Sequence, residues 1–151
     1  MSSQQDQILA RELGKVGSLG GKIGGGVAGA AGGSLGASLA ARFLPTEQYL
    51  KEVSVPRDVR TTLTKLTSYL LKEGRLANDS EAGPSQYPKI SGILGSGFLN
   101  MNPTLVHVEV IGIDTGCCLL LVSGAAKEGL IKQRSAQKAV NRLVDFLGTI
   151  D

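Results

Sequence analysis

Glycine recurs at every fourth residue from Gly17 to Gly33, and this spacing constrains the fold more than any other feature of the sequence. Eleven of the 21 glycines lie between Gly14 and Gly36. A flexible linker has no reason to keep glycines in register, and a collagen helix needs glycine at every third position. Because residues four apart share one face of an α-helix, the spacing predicts a helix.

Residues 17–43, sorted by fours, form two rows of small residues beside one row of larger aliphatic residues. The first small row is Gly17, Gly21, Gly25, Gly29, Gly33, Ala37 and Ala41. The second small row is Gly20, Gly24, Ala28, Gly32, Gly36 and Ala40. The aliphatic row is Leu19, Ile23, Val27, Ala31, Leu35, Leu39 and Phe43. Small rows let helix backbones approach closely, so we predict that the glycines of both rows pack against another helix.

This pattern resembles the glycine-zipper motif of self-associating membrane segments, which is a motif and identifies no single protein family. Each glycine costs a helix about 1 kcal/mol relative to alanine, so the segment would not be helical alone in water. It needs a close-packed partner or a bilayer. Residues 23–41 are uncharged and approach the roughly 20 residues needed to span a membrane, but only four are large aliphatics. A disordered tail and a helix packed on its own domain or on sister subunits are the alternatives.

We assign residues 1–44 to this helix and residues 45–151 to a compact α+β domain. Strands are predicted at Tyr49–Val55, Lys89–Leu99, Thr104–Ile113 and Gly116–Ser123, and residues 75–88 are predicted to form a loop. Amphipathic helices are predicted to start near Pro56, ending at Gly74, and at Ser135–Leu147. The order β-α-β-β-β-α implies one antiparallel sheet with two helices on one face.

The run Cys117–Val122 is apolar on both faces of its strand. A sheet with helices on one face alone should alternate apolar and polar residues there. The second face therefore needs cover from a sister subunit, from the glycine-rich helix or from an apolar ligand. A sister subunit is the interpretation we favour.

Few residues suggest chemistry. His107 and Glu109 share one strand face, but spacing supplies no third metal ligand and no nucleophile. We therefore expect no enzyme, no metal and no cofactor. Arg134, Lys138 and Arg142 recur every fourth residue and form a candidate anion contact, although such stripes are commonly the solvated face of a helix.

Charge and targeting features complete the expectation. The net charge of +3 is low for a nucleic-acid-binding protein, and neither a signal peptide nor a disulfide framework is evident, which favours the cytoplasm with possible membrane association. The sequence thus predicts a non-enzymatic, self-associating assembly protein whose partner is a second copy or a membrane. The alternative is a soluble intracellular domain that binds a small apolar ligand between sheet and helices.

Overall fold

The computed structural model describes residues 3–77, 88–96, 102–129 and 132–149 of the 151-residue chain. The helices of this part are α1 (Ser3–Phe43), α2 (Val59–Glu73) and α3 (Ser135–Gly148). The strands are β1 (Thr46–Val55), β2 (Gly74–Leu76), β3 (Lys89–Ser96), β4 (Asn102–Asp114) and β5 (Cys117–Lys127).

The strands form one antiparallel sheet in the order β1-β5-β4-β3-β2. Helices α2 and α3 pack on one face, where fourteen buried side chains form the main core. The α+β class and the placement of two helices on one face are therefore confirmed. Each amphipathic helix buries its apolar stripe against the sheet, and this burial stabilises the packing of the helices on the sheet.

Several element boundaries differ from the prediction. The predicted loop at residues 75–88 begins with the short edge strand β2, because Gly74–Leu76 pairs with β3 as soon as α2 ends. Strands β1 and β5 are longer than predicted, since Thr46 pairs with Lys127 at the far end of both. Residues 78–87 of the predicted loop and residues 97–99 of the predicted strand Lys89–Leu99 lie outside the described residues.

The start of α2 shows why the chain turns into a helix there. Asp58 is the N-cap residue, and its carboxylate accepts a hydrogen bond from the backbone N–H of Thr61 at 2.9 Å. The helix begins at Val59 and so follows Pro56 by three residues, later than predicted. A carboxylate at this position satisfies one of the N–H groups that the first turn leaves without a helical partner.

The second face of the sheet is partly covered by α1. Leu9 is completely buried against Ile93, Leu105 and Ala125. At this part of the face, cover comes from the chain's own N-terminal helix. Cover of the run Cys117–Val122 by a sister subunit stays a prediction. Leu119, on the same face further along β5, remains 38% exposed.

Ion pairs fix the same end of α1 to the sheet. Asp6 lies 2.6 Å from the ammonium group of Lys127, whose side chain is 5% exposed. The hydrogen bond and charge of Lys127 hold the pKa of Asp6 below its ordinary value. Glu12 is buried and pairs with both Arg75 of β2 and Lys15. The start of α1 is thus held across the sheet from the β1 edge to the β2 edge.

Helix α1 doubles back on itself. Two residues sixteen apart lie about 24 Å apart along a straight helix, at 1.5 Å per residue. A Cβ built on Gly17 would nevertheless lie 2.5 Å from the Cβ of Ala37 and closer still to the carbonyl oxygen of Gly33. A Cβ on Gly14 would lie 3.3 Å from the Cβ of Ser38. The chain therefore reverses between Gly17 and Gly33, and we call residues 3–19 the first arm and residues 29–43 the second arm.

Candidate functional site

The second arm presents one side to the first arm. The residues of this inner side are buried or half-buried, and they are Gly29, Ala30, Gly33, Ser34, Ala37, Ser38 and Ala41. Gly17 of the first arm fits directly against Gly33 and Ala37. Because neither side has bulk at this point, the two backbones approach within the distance that a methyl group would otherwise occupy.

The opposite side of the second arm is exposed throughout. Its residues, here called the outer face, are Ala31, Gly32, Leu35, Gly36, Leu39, Ala40 and Phe43. Leu35 is 66% exposed, Leu39 is 54% exposed and Phe43 is 88% exposed. None of the seven carries a charge or a hydroxyl group. A solvent-facing helix surface is normally polar, so the outer face has the composition of a buried one.

The polarity of the second arm is therefore reversed. Its hydroxyl-bearing residues Ser34 and Ser38 point toward the first arm, where Gly14 makes room for them. Its largest apolar side chains point away from the rest of the protein. Contiguous exposed apolar surface of this kind is typical of interaction sites, whereas single exposed leucines are ordinary.

Two glycines of the outer face are also open. A Cβ built on Gly32 or on Gly36 would meet no atom within 4 Å. The outer face thus combines a ridge of Leu35, Leu39 and Phe43 with a shallow groove at Gly32 and Gly36. Gly33 and Ala37 of the first small row contact the first arm, whereas Gly32 and Gly36 of the second small row do not.

The glycines that we predicted to pack against another helix fall into two groups. Gly17 and Gly33 meet within the chain, whereas Gly32 and Gly36 face solvent. Gly29 is half-buried. The surroundings of Gly20, Gly21, Gly24 and Gly25 lie outside the described residues. Packing of these glycines against another chain stays a prediction.

No described helix has enough length and hydropathy to cross a membrane. This finding includes the uncharged part of α1 as far as its residues are described.

A second surface feature is a cleft of about 450 Å³ beside the start of α3. It is lined by Pro45, Thr46, Glu47, Glu128, Gly129, Lys132, Arg134 and Gln137. Small-molecule sites commonly measure about 300–1,000 Å³, so this cleft falls within their range. It lies beside the start of α3, whereas the buried side chains between the sheet and helices α2 and α3 form the main core.

Two carboxyl groups in the cleft cap α3. The preceding residue, Arg134, has a left-handed backbone (φ 55°) and offers no side-chain cap. Glu128 instead accepts hydrogen bonds from the backbone N–H groups of Ser135 at 2.8 Å and Gln133 at 2.9 Å. Glu47 accepts one from the N–H of Ala136 at 2.8 Å. Negative charge here also interacts favourably with the positive end of the helix dipole.

The two carboxyl groups differ in pKa. Burial raises the pKa of Glu47, and the nearby charge of Glu128 acts in the same direction. Burial also acts on Glu128, but hydrogen bonds from Ser135, Glu47 and Gln133 outweigh it and leave the pKa of Glu128 below its ordinary value. Glu128 is therefore the stronger acid of the two.

Alanine at position 128 is expected to lower the free energy of unfolding by about 2 kcal/mol, because the N–H of Ser135 in α3 and that of Gln133 just before it lose their acceptor. Glu47→Gln is expected to raise it, because glutamine still accepts from Ala136 and removes an unfavourable charge. Since the pKa of Glu47 is raised, this gain develops as the pH rises above the ordinary value of 4.5 and is absent below it. Urea denaturation at pH 4 and pH 8 measures both effects. A Glu47→Gln gain that is equal at the two pH values would contradict the assignment.

The predicted anion-contact residues have different surroundings. Arg134 lines the cleft, Lys138 is exposed on α3, and Arg142 pairs with Glu73 at 3.1 Å. The pairing with Glu73 directs Arg142 toward α2. An anion contact by this stripe stays a prediction.

His107 sits between α1 and the sheet. Its Nδ1 lies 2.6 Å from the hydroxyl of Ser91, and its Nε2 lies 3.4 Å from the side-chain nitrogen of Gln5. Both ring nitrogens thus have polar neighbours that position the ring. No group of three metal-ligating side chains occurs among the described residues. Cys118 is buried and its thiol donates weakly to Thr62 at 3.6 Å.

Sequence reasoning missed the Glu47 and Glu128 pair entirely. The two residues are 81 positions apart and meet only because β1 and β5 are neighbours in the sheet. Neither belongs to a recognisable capping box, since Glu47 and Glu128 reach α3 from other elements. No local signal in the sequence identifies them.

The chain matches no protein-family profile and no curated protein sequence. Among solved structures it is similar to norcoclaurine synthase from Thalictrum flavum in complex with dopamine and hydroxybenzaldehyde, with 10% identity and a TM-score of 0.41 over 69% of this chain and 85% of that chain. It is also similar to Ara h 8.0201, with 10% identity and a TM-score of 0.34 over 68% of this chain and 95% of that chain. Likeness at this level transfers neither a fold nor a function to this chain.

Proposed function

We propose that this protein is a non-enzymatic interaction protein that docks through the outer face of α1. The observation that supports this most is the exposure of Leu35, Leu39 and Phe43 in one uncharged row. Burying a large apolar side chain contributes roughly 1.5–3 kcal/mol. Docking of the three side chains therefore provides a driving force of several kcal/mol before the costs of association are subtracted.

The α+β domain gives this docking surface a fixed position. The first arm is held on the sheet by buried Leu9 and by the ion pairs of Asp6 and Glu12. The second arm is held on the first by the fit of Gly17 against Gly33. The outer face is thus presented by a rigid support, which lowers the entropy cost of docking.

Glutamine at position 39 is expected to weaken association at least tenfold, because about 1.4 kcal/mol corresponds to tenfold in affinity and a buried leucine contributes more. Leu71→Gln is a matched control, since Leu71 of α2 is 59% exposed and Leu39 is 54% exposed. Sedimentation velocity and flotation with phospholipid vesicles would measure association for full-length wild type and both variants. Wild type that neither self-associates nor binds vesicles, or equal losses in the two variants, would contradict the proposal.

A second candidate function is the binding of a small molecule in the cleft beside α3. Its volume of about 450 Å³ and its two carboxyl groups with oppositely shifted pKa values favour this reading. The cleft offers both apolar surface and the charged side chains of Lys132 and Arg134, so a ligand with apolar and hydrogen-bonding parts matches it. Native mass spectrometry of the full chain would reveal such a ligand as an added mass that denaturation removes.

A further inference from the structure

We propose that the partner of the outer face is a second copy of this chain, docked antiparallel so that the ridge of each copy lies in the groove of the other. The inference rests on the proposed function and specifies its partner. Leu35, Leu39 and Phe43 form the ridge, and Gly32 and Gly36 form the groove.

Self-complementarity is the first argument for a second copy. In a two-fold dimer the same patch of each subunit meets its counterpart, so the patch must contain both the projecting and the receiving parts. The outer face does contain both, because leucines and open glycines alternate along the same side of one helix. With the two-fold axis between positions 37 and 38, Gly36 of one copy lies opposite Leu39 of the other, and Gly32 lies opposite Phe43.

The chain itself supplies the second argument, because it already uses this packing once. The first arm places Gly17 against Gly33 and Ala37 of the second arm, in a contact between small residues of antiparallel helices. A second copy would use the other small row in the same antiparallel arrangement, with the larger side chains of its ridge against Gly32 and Gly36. No charge opposes this approach, since residues 23–41 carry none.

The open glycines favour another helix over a lipid surface as the partner of the outer face. A helix that lies in a membrane gains from large apolar side chains, and each leucine contributes about −0.3 to −0.6 kcal/mol on an insertion scale. Glycine contributes no such side chain, and its advantage is close approach by another backbone. The space beside Gly32 and Gly36, empty within 4 Å of a built Cβ, therefore favours a protein helix as the occupant.

The size of the surface predicts a weak dimer. Leu35 and Phe43 are eight residues apart, which corresponds to about 12 Å of helix. A contact along so short a stretch of one helix buries less than the roughly 800 Å² per partner of a standard interface. We therefore expect dissociation in the micromolar range and a monomer–dimer equilibrium that depends on concentration.

Gly36→Leu is the decisive variant. The side chain has room in the monomer, so the fold is retained, but it fills the groove that the ridge of the second copy needs. Sedimentation equilibrium of the full chain is expected to show a wild-type dimer and a dissociation constant at least tenfold higher for Gly36→Leu. The same substitution adds apolar surface, so binding to vesicles of phosphatidylcholine and phosphatidylserine would stay equal or increase.

Crosslinking locates the contact. On a Cys117→Ser background, Leu39→Cys is expected to give a covalent dimer with a short bis-maleimide reagent. Leu50→Cys, at a position 59% exposed on β1, serves as the control and is expected to stay monomeric. Circular dichroism melting would verify that each variant folds.

The outcomes separate this inference from the proposed function. A wild-type dimer that Gly36→Leu leaves unchanged overturns the ridge-in-groove contact. A wild-type monomer whose vesicle binding is lost in Leu39→Gln overturns the second copy and retains docking, with lipid as the partner. A wild-type monomer that leaves vesicles unbound overturns both.

Discussion

Leucine at position 17 is expected to open the contact between the two arms of α1 and to lower the free energy of unfolding by about 3 kcal/mol. The first atom of the new side chain would already lie 2.5 Å from the Cβ of Ala37 and closer to the backbone of Gly33. Real side chains do not approach a backbone so closely, so the second arm must move away. Urea denaturation measures the loss, and hydrogen exchange of the α1 amides shows where protection disappears.

Gly32→Leu is the matched control for this experiment. Both substitutions replace a helical glycine and both gain close to 1 kcal/mol in helix propensity. Only position 17 lacks room for a side chain, since a Cβ at Gly32 meets no atom within 4 Å. Equal stability of the two variants, measured at concentrations low enough to keep the chain monomeric, would show that the arms do not pack in this way.

Leu120→Ala is expected to lower the free energy of unfolding by about 3 kcal/mol, within the range for cavities left in a packed core. Leu120 is completely buried on the face of β5 that meets α2 and α3. A domain of ordinary stability has about 5–15 kcal/mol in total, so the change is a large fraction of it. Chemical denaturation followed by circular dichroism would measure the shift in midpoint.

The neighbouring residue provides the control for the core substitution. Leu119 lies on the opposite face of β5 and is 38% exposed. Leu119→Ala is expected to cost less than about 1 kcal/mol, as is usual for partly exposed positions. A loss at position 119 equal to that at position 120 would mean that the second face is covered as tightly as the first.

The comparisons of Gly17 with Gly32 and of Leu120 with Leu119 show what sequence periodicity predicts and what it does not. Alternation along β5 assigns Leu119 and Leu120 to opposite faces whatever the surrounding fold, because successive strand residues point in opposite directions. The spacing by fours places Leu35, Leu39 and Phe43 on one side of a helix for the same kind of local reason. Neither pattern states which side is buried, since burial depends on what the rest of the chain brings to that side.

The candidate site illustrates the limit in detail. The sequence predicted that small rows would pack against a helix, and it left open whether that helix belonged to the same chain. The structure places Gly17 against Gly33, a contact that requires the chain to reverse between them. The glycine-rich repeat contains no single residue that enforces a reversal, because the same pattern continues across it.

The acidic pair in the cleft had no sequence signal at all. Glu47 reaches the start of α3 from β1, and Glu128 reaches it from the residue after β5. The hydrogen bonds that they accept from Ala136 and Ser135 form only once β1 and β5 are paired. Their opposite pKa shifts follow from burial and from the N–H groups of α3. Such effects depend on distances of a few ångströms between residues far apart in sequence.

The sequence by itself predicted the α+β class and the residues that share each face, and it favoured a helix over a disordered tail for the glycine-rich segment. These properties depend on the 3.6-residue and 2-residue periods of the backbone, which local sequence sets. Only the tertiary structure decided that one small row is used within the chain and that the leucine ridge faces outward. That choice depends on long-range contacts such as Gly17 against Gly33 and Leu9 against the sheet, and no local period encodes them.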